Sequence, residues 1–159
     1  MLHQIKADEV IKSWTKVEKH IRKWVDSCYE ENADRAMRVV LEYIINGKMQ
    51  CWASYDSEKK INYLVLTKIQ TCEFSGQKSL LVFSATRLQK VSKKVTEKMW
   101  LNKIIVGMGG YARKRGCKEV VFYTDLKYLA DLHKSAELIS NVKYFVSYPC
   151  NQSCSQLGD

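Results

Sequence analysis

The sequence predicts an α+β fold, a mixed and mostly antiparallel sheet with helices on both faces. Three observations predict it. Apolar residues in the N-terminal third recur at helical spacing, the middle of the chain switches to short runs rich in β-branched and aromatic residues, and a further helical pattern lies between later strand-like runs. The chain has 159 residues, with 46% hydrophobic, 27% charged and a single proline, Pro149, which suits one folded core rather than disorder. Residues 1–149 are expected to form a single domain, and residues 150–159, "CNQSCSQLGD", a flexible tail.

The elements follow in order. "HQIK" reads as a short first strand. "ADEVIKSWTKVEKHIRKWVDSC" places Val10, Ile11, Trp14, Val17, Ile21, Trp24, Val25 and Cys28 on one helical face, with a break near Ser13. In "ADRAMRVVLEYIING" the stripe is Ala36, Met37, Val40, Leu41, Ile44 and Ile45, and Gly47 stands where a helix end favours glycine. "MQCWASYD", "KINYLVLTKIQTC" and "KSLLVFSAT" form a three-stranded antiparallel meander, separated by the turns "SEK" and "EFSGQ". "CKEVVFYTD" and "VKYFVSYP" are two further strands, and "LKYLADLHKSAELIS" between them is expected to be helical, with Leu126, Leu129, Leu132, Ala136 and Ile139 as its apolar positions.

Residues 98–115 pose the main question, because Gly107, Gly109 and Ala112 form a G-x-G-x-x-A string of the kind that wraps a pyrophosphate. Trp100, Leu101, Ile104, Ile105, Met108, Tyr111 and Ala112 fall within an arc of about 140° at 3.6 residues per turn, so the segment reads as one helix. Amides inside a helix already bond carbonyls four residues back and cannot cradle phosphate. Gly107, Gly109 and Gly110 are therefore read as marking close approach of this helix to the sheet or to a partner chain.

The net charge is +9, from 26 basic and 17 acidic residues, which suits an anionic partner or a lysine-rich solvated surface. Arg87, Lys90, Lys93, Lys94 and Lys98 stand on an expected long loop, and Arg113, Lys114, Arg115 and Lys118 cluster at the far end of the helix. Such a loop can grip an acidic protein surface, nucleic acid or the phosphates of coenzyme A. Tyr55, Tyr63 and Tyr128 are available for base stacking, but no basic-aromatic interleaving accompanies them.

No catalytic constellation is visible. His3, His20 and His133 fall in unrelated elements, with His20 and His133 read as exposed, and Cys117 opens a buried strand. Glu30 and Glu31 lie at a helix boundary, where negative charge supports the next helix's N-terminus, and Glu42 faces away from its helix's apolar stripe. The six cysteines, Cys28, Cys51, Cys72, Cys117, Cys150 and Cys154, are expected to be reduced. Cys150 and Cys154 with His133 fall short of the four ligands of a structural zinc site. No apolar run reaches bilayer length, and the N-terminus lacks a signal-peptide pattern, so an intracellularly made protein without a membrane span is expected.

The order of elements, and the run "VGMGGYARKRGCKEVVFYTD" in particular, resemble the GNAT acetyltransferase superfamily. The resemblance implies a GNAT-like fold and acetyl-CoA held on a Q/R-x-x-G-x-G/A loop between the fourth strand and the central helix. That loop corresponds to "RLQKVSKKVTEK", Arg87 to Lys98, which contains no glycine. The family's general-acid tyrosine has no counterpart between Tyr128 and Tyr144, and "NVKYF" replaces a common "GF". The layout "W…HI…C", "INGKMQCWASYD" and the altered loop look like the GNAT-like proteins carried by tailed bacteriophages.

That branch implies a non-catalytic structural or assembly protein in a portal, tail or ejection assembly of the virion. It would have no cofactor, no catalytic residues and no metal, and would act as a homo-oligomer or ring. Its contacts would run through Arg87, Lys90, Lys93, Lys94, Lys98, Gly107, Gly109 and Gly110. The alternative is a divergent, cytoplasmic N-acyltransferase that uses acetyl-CoA; a further alternative is a basic nucleic-acid-binding module.

Overall fold

The computed structural model describes residues 2–28, 32–88, 97–124, 136–140 and 143–149. The chain divides into two compact units, Met1–Lys68 with Phe83–Lys90, and Ile69–Val82 with Val91–Asp159.

In the first unit, strand β1 (Leu2–Ile5) leads into helix α1 (Ala7–Lys12) and helix α2 (Trp14–Cys28). The break expected near Ser13 falls on that residue. Its amide bonds the Glu9 and Val10 carbonyls, both at 3.1 Å, while its carbonyl accepts from Lys16 and Val17, so one residue closes α1 and opens α2. Helix α3 (Ala33–Ile45) ends at Asn46, and Gly47 follows with φ +67°, the left-handed conformation that glycine adopts without steric cost.

Strand β2 (Gln50–Tyr55) pairs antiparallel with β1 from Leu2↔Ser54 to Ile5↔Cys51, and with strand β3 (Ile61–Thr71) from Gln50↔Thr67 to Ser54↔Tyr63, followed by a bulge. The β2–β3 turn is organised by Asp56, whose Oδ1 accepts from the Glu58 and Lys60 amides at 2.8 Å each. The end of strand β4 (Lys78–Arg87) joins this unit, where the Leu88 amide donates to the Asn62 carbonyl at 2.8 Å.

The helical stripes meet one face of these strands. Val10, Val17, Ile21, Val25, Met37, Val40 and Ile44 bury against Cys51, Leu64 and Leu66, with Trp14 packed at the edge of the cluster. Two positions of the expected stripes stand outside it, since Ile11 and Ile45 are exposed. Arg22 ties α2 to α3 by bonding Glu18 at 3.0 Å and Asp34 at 2.7 Å. Buried Thr67 accepts from Trp52 Nε1 at 2.8 Å and donates to Gln50 Oε1 at 3.3 Å, satisfying its hydroxyl in both directions.

His20 is half-buried on α2 rather than exposed. Burial, and secondarily Lys19, hold its pKa below the ordinary 6.5, so the fold favours the neutral ring. Its contribution to stability is complete above pH 6.5 and is lost as pH falls through the lowered folded value. Unfolding free energies measured between pH 7 and 5 should therefore slope less steeply in His20→Gln than in the parent.

The second unit holds the β3–β4 turn, in which Cys72 N donates to Gln77 O and Gly76 N to Cys72 O, both at 2.8 Å. Helix α4 (Glu97–Lys114) follows β4, then strands β5 (Cys117–Thr124), β6 (Ala136–Ser140) and β7 (Lys143–Pro149). Strands here are ordered β4-β5-β7-β6. β4 and β5 run parallel, whereas β5–β7 and β6–β7 are antiparallel.

One expectation is overturned. Of the stretch read as a single helix, residues 125–135, with Leu126, Leu129 and Leu132, lie outside the described residues, but Ala136 and Ile139 belong to strand β6. "AELIS" pairs with β7 from Ala136↔Val146 to Ser140↔Lys143, and this cross-strand pairing overrides the helical preference of Ala, Glu and Leu. Among the described residues, no helix is long and apolar enough to cross a membrane.

Candidate active site

A parallel strand pair needs a crossover, and α4 supplies it between β4 and β5. The helix packs on β5 through a line of residues four apart: Ile104, Met108 and Ala112, each at most 1% exposed. The parallel ladder runs from Lys78↔Cys117 to Val82↔Phe122 and stops there. β5 continues through Tyr123 and Thr124, which pair with Phe145 and Tyr144 of β7 on the opposite edge. Ligands of α/β units gather at the C-terminal ends of parallel strands, beside the N-terminus of the connecting helix. The end of this ladder is the corresponding position here.

The expected basic loop coincides with this connection only in part. Arg87 is the last residue of β4 and Lys98 the second of α4, while Lys90, Lys93 and Lys94 lie outside the described residues. Arg113, Lys114, Arg115 and Lys118 are exposed at the opposite end of α4, where Arg115 stacks 5.3 Å from the Tyr111 ring centroid. Of the tyrosines considered for stacking on bases, Tyr55 is exposed beside His3, Tyr63 is half-buried, and Tyr128 lies outside the described residues.

Gly107, Gly109 and Gly110 lie inside α4, as the apolar spacing requires, so the G-x-G-x-x-A string is not a phosphate loop. Their expected close approach to the sheet is not found at Gly109 or Gly110. A Cβ on Gly109 would meet only Arg113 Nη1, at 3.9 Å, and one on Gly110 would meet nothing within 4 Å, because both stand off the buried Ile104–Met108–Ala112 line. The double substitution Gly109→Ala/Gly110→Ala is expected to stabilise the protein by about 2 kcal/mol, roughly 1 per residue. Thermal unfolding would register a rise of several degrees, and a fall would reveal a neighbour closer than the structure places one.

Cys117 is buried, and burial pushes its thiol up despite the opposing pull of Lys78. Cys51 is buried in the first unit's core. Cys72 is exposed, and hydrogen bonds from Ser75, then Phe74, lower its pKa. The side chains of Cys28, Cys150, Cys154 and His133 lie outside the described residues, as do Glu30 and Glu31. Among the described residues, no group of three or more His, Cys, Asp or Glu side chains is arranged to hold a metal ion.

No protein-family model matches the chain, and no curated protein matches it. Solved structures do. An aminoglycoside 6'-acetyltransferase type Ii superposes with TM-score 0.62 at 9% identity, covering 96% of this chain and 99% of that one. Arabidopsis thaliana NAA60 in complex with acetyl-CoA gives TM-score 0.54 at 13% identity over 96% and 99%. A spermidine N-acetyltransferase chimera involving Vibrio cholerae SpeG gives 0.54 at 9% over 92% of each chain.

The chain has the GNAT fold. Its mostly antiparallel pairing with a parallel β4–β5 step is the GNAT-like arrangement expected from the order of elements. Sequence reasoning missed β6, whose composition is helical. It also missed where the parallel ladder ends, since nothing in an apolar strand marks the residue at which its neighbour departs.

Proposed function

We propose that this GNAT-like chain is a divergent N-acyltransferase that takes an acyl group from acetyl-CoA and gives it to a primary amine. The observation that carries the reading is the parallel β4–α4–β5 crossover, whose ladder ends at Val82↔Phe122. The similar structures lend support, because two are named for acetyl transfer and the third is a complex with acetyl-CoA. In the reaction the amine nitrogen attacks the thioester carbonyl, the carbon–sulfur bond breaks, and the coenzyme leaves as a thiol carrying the proton that the amine gives up. With no glycine between Arg87 and Lys98, the coenzyme phosphates would be held by backbone amides of that segment and by its lysines. The enzyme would work in the cytoplasm, where acetyl-CoA is available.

The test is a thermal-shift titration with acetyl-CoA at near-physiological salt, with desulfo-CoA and ATP as controls. Binding to the folded state alone stabilises it by about 2.7 kcal/mol at a hundred times Kd. A saturable rise with both CoA compounds and not with ATP supports the reading. No rise at millimolar ligand overturns it.

The second reading is a protein of a larger assembly, such as a tailed-phage virion, acting through protein contacts or as a ring. It is favoured by the glycine-free segment and by the open face of α4 at Gly109 and Gly110. A nucleic-acid contact through the basic residues would instead show affinity that falls steeply with salt.

A further inference from the structure

The first unit contains a cavity of about 360 Å³ between α3 and the strands beneath it. Its walls are Val25, Val40, Met49 and Phe83, with Val39 at the solvent side. The volume lies within the range of small-molecule sites.

The described charged residues that line it share one sign. Arg35 and Lys68 line the cavity, and among the described residues no acidic side chain does. Lys68 occupies an unusual position, because alternation along β3 puts it on the same face as Leu64 and Leu66, the row that feeds the apolar core. The half-buried lysine places its ammonium 4.8 Å from the ring centroid of Tyr43, another lining residue. Lys48 approaches the same ring at 5.6 Å. Among the described residues, no acid forms an ion pair with Arg35, Lys48 or Lys68. A lysine at a core-facing position is costly unless a partner compensates it, and a ring face compensates only in part.

We infer that this cavity binds a medium-chain carboxylate, its aliphatic chain between α3 and the strands and its carboxylate held by Lys68 and Arg35. At about 30 Å³ per water-sized group, a chain of roughly eight to ten carbons fills the space. The apolar walls supply affinity for the chain and the cations select the head. The site lies within the first unit and does not depend on acyl transfer.

The experiment is calorimetric titration of the full-length chain with decanoate, decanol and decylamine, each below its aggregation threshold. Decanoate should bind saturably and about tenfold or more tighter than decanol, the discrimination expected of a charge-assisted contact. Lys68→Met should bring decanoate down to the level of decanol, and Ala36→Phe, which fills the cavity, should abolish binding of both. Arg35→Gln changes an exposed rim residue, so it should weaken decanoate without disturbing the fold and keeps the test sound if either interior variant is unstable. Absence of saturable decanoate binding, equal or tighter binding of decanol or decylamine, or wild-type decanoate affinity in folded Lys68→Met would each overturn the inference. An acetyl-CoA shift measured on the same samples reports separately on acyl transfer.

Discussion

Under native conditions at neutral pH, iodoacetamide is expected to modify Cys72 well before Cys51 or Cys117. Cys72 is exposed in the β3–β4 turn, and hydrogen bonds from Ser75 hold its thiol below the ordinary value of 9.0. Cys51 is 1% exposed, and burial pushes its thiol from 9.0 up to about 12. Three pKa units alone lower its thiolate population about a thousandfold, and inaccessibility lowers its rate further. A quenched time course read by peptide mass spectrometry, with and without urea, measures this directly. Labelling of Cys51 in step with Cys72 would mean that β2 opens in the native state.

The same shift gives a pH dependence. Above pH 9 the unfolded thiol ionises while the folded Cys51 thiol does not, so its contribution is complete below pH 9 and is lost as pH rises towards 12. In Cys51→Ala that alkaline loss should be smaller.

Leu66→Ala is expected to cost about 2–5 kcal/mol, because it removes a buried side chain and leaves a cavity. Leu66 is 1% exposed in β3, within the cluster that joins all three N-terminal helices to the strands. The informative control is Ile45→Ala. Both are apolar residues in strongly patterned segments, yet Ile45 is 50% exposed and should cost roughly 0.5 kcal/mol or less. Urea or thermal unfolding of the two variants should separate them by several degrees in Tm at about 2–4 °C per kcal/mol. Equal losses would place Ile45 in an interface or core absent from the single chain.

The pair illustrates how far periodicity reaches. Helical spacing placed Val17, Ile21, Val40 and Ile44 correctly in the core, because a helix can bury only one stripe. The same spacing included Ile11 and Ile45, which lie near a helix end and are about half exposed. Along α4, spacing correctly converted a phosphate-loop string into helix interior, but it could not say what surrounds Gly109 and Gly110.

What the sequence alone determined was the element order through β5, the break at Ser13, the glycine at the end of α3 and the apolar faces, all of which depend on short-range geometry. Whether "AELIS" became helix or strand was decided by β7, since a strand with a free edge offers hydrogen bonds that outweigh local preference. The parallel β4–β5 step, its end at Val82↔Phe122 and the cavity that brings Arg35, Tyr43 and Lys68 together were likewise tertiary outcomes. Each joins residues far apart in the chain, and Lys68 reads in the sequence as an ordinary polar break in an apolar run. Only the packing of α3 over β3 turns that break into a cation facing an apolar space.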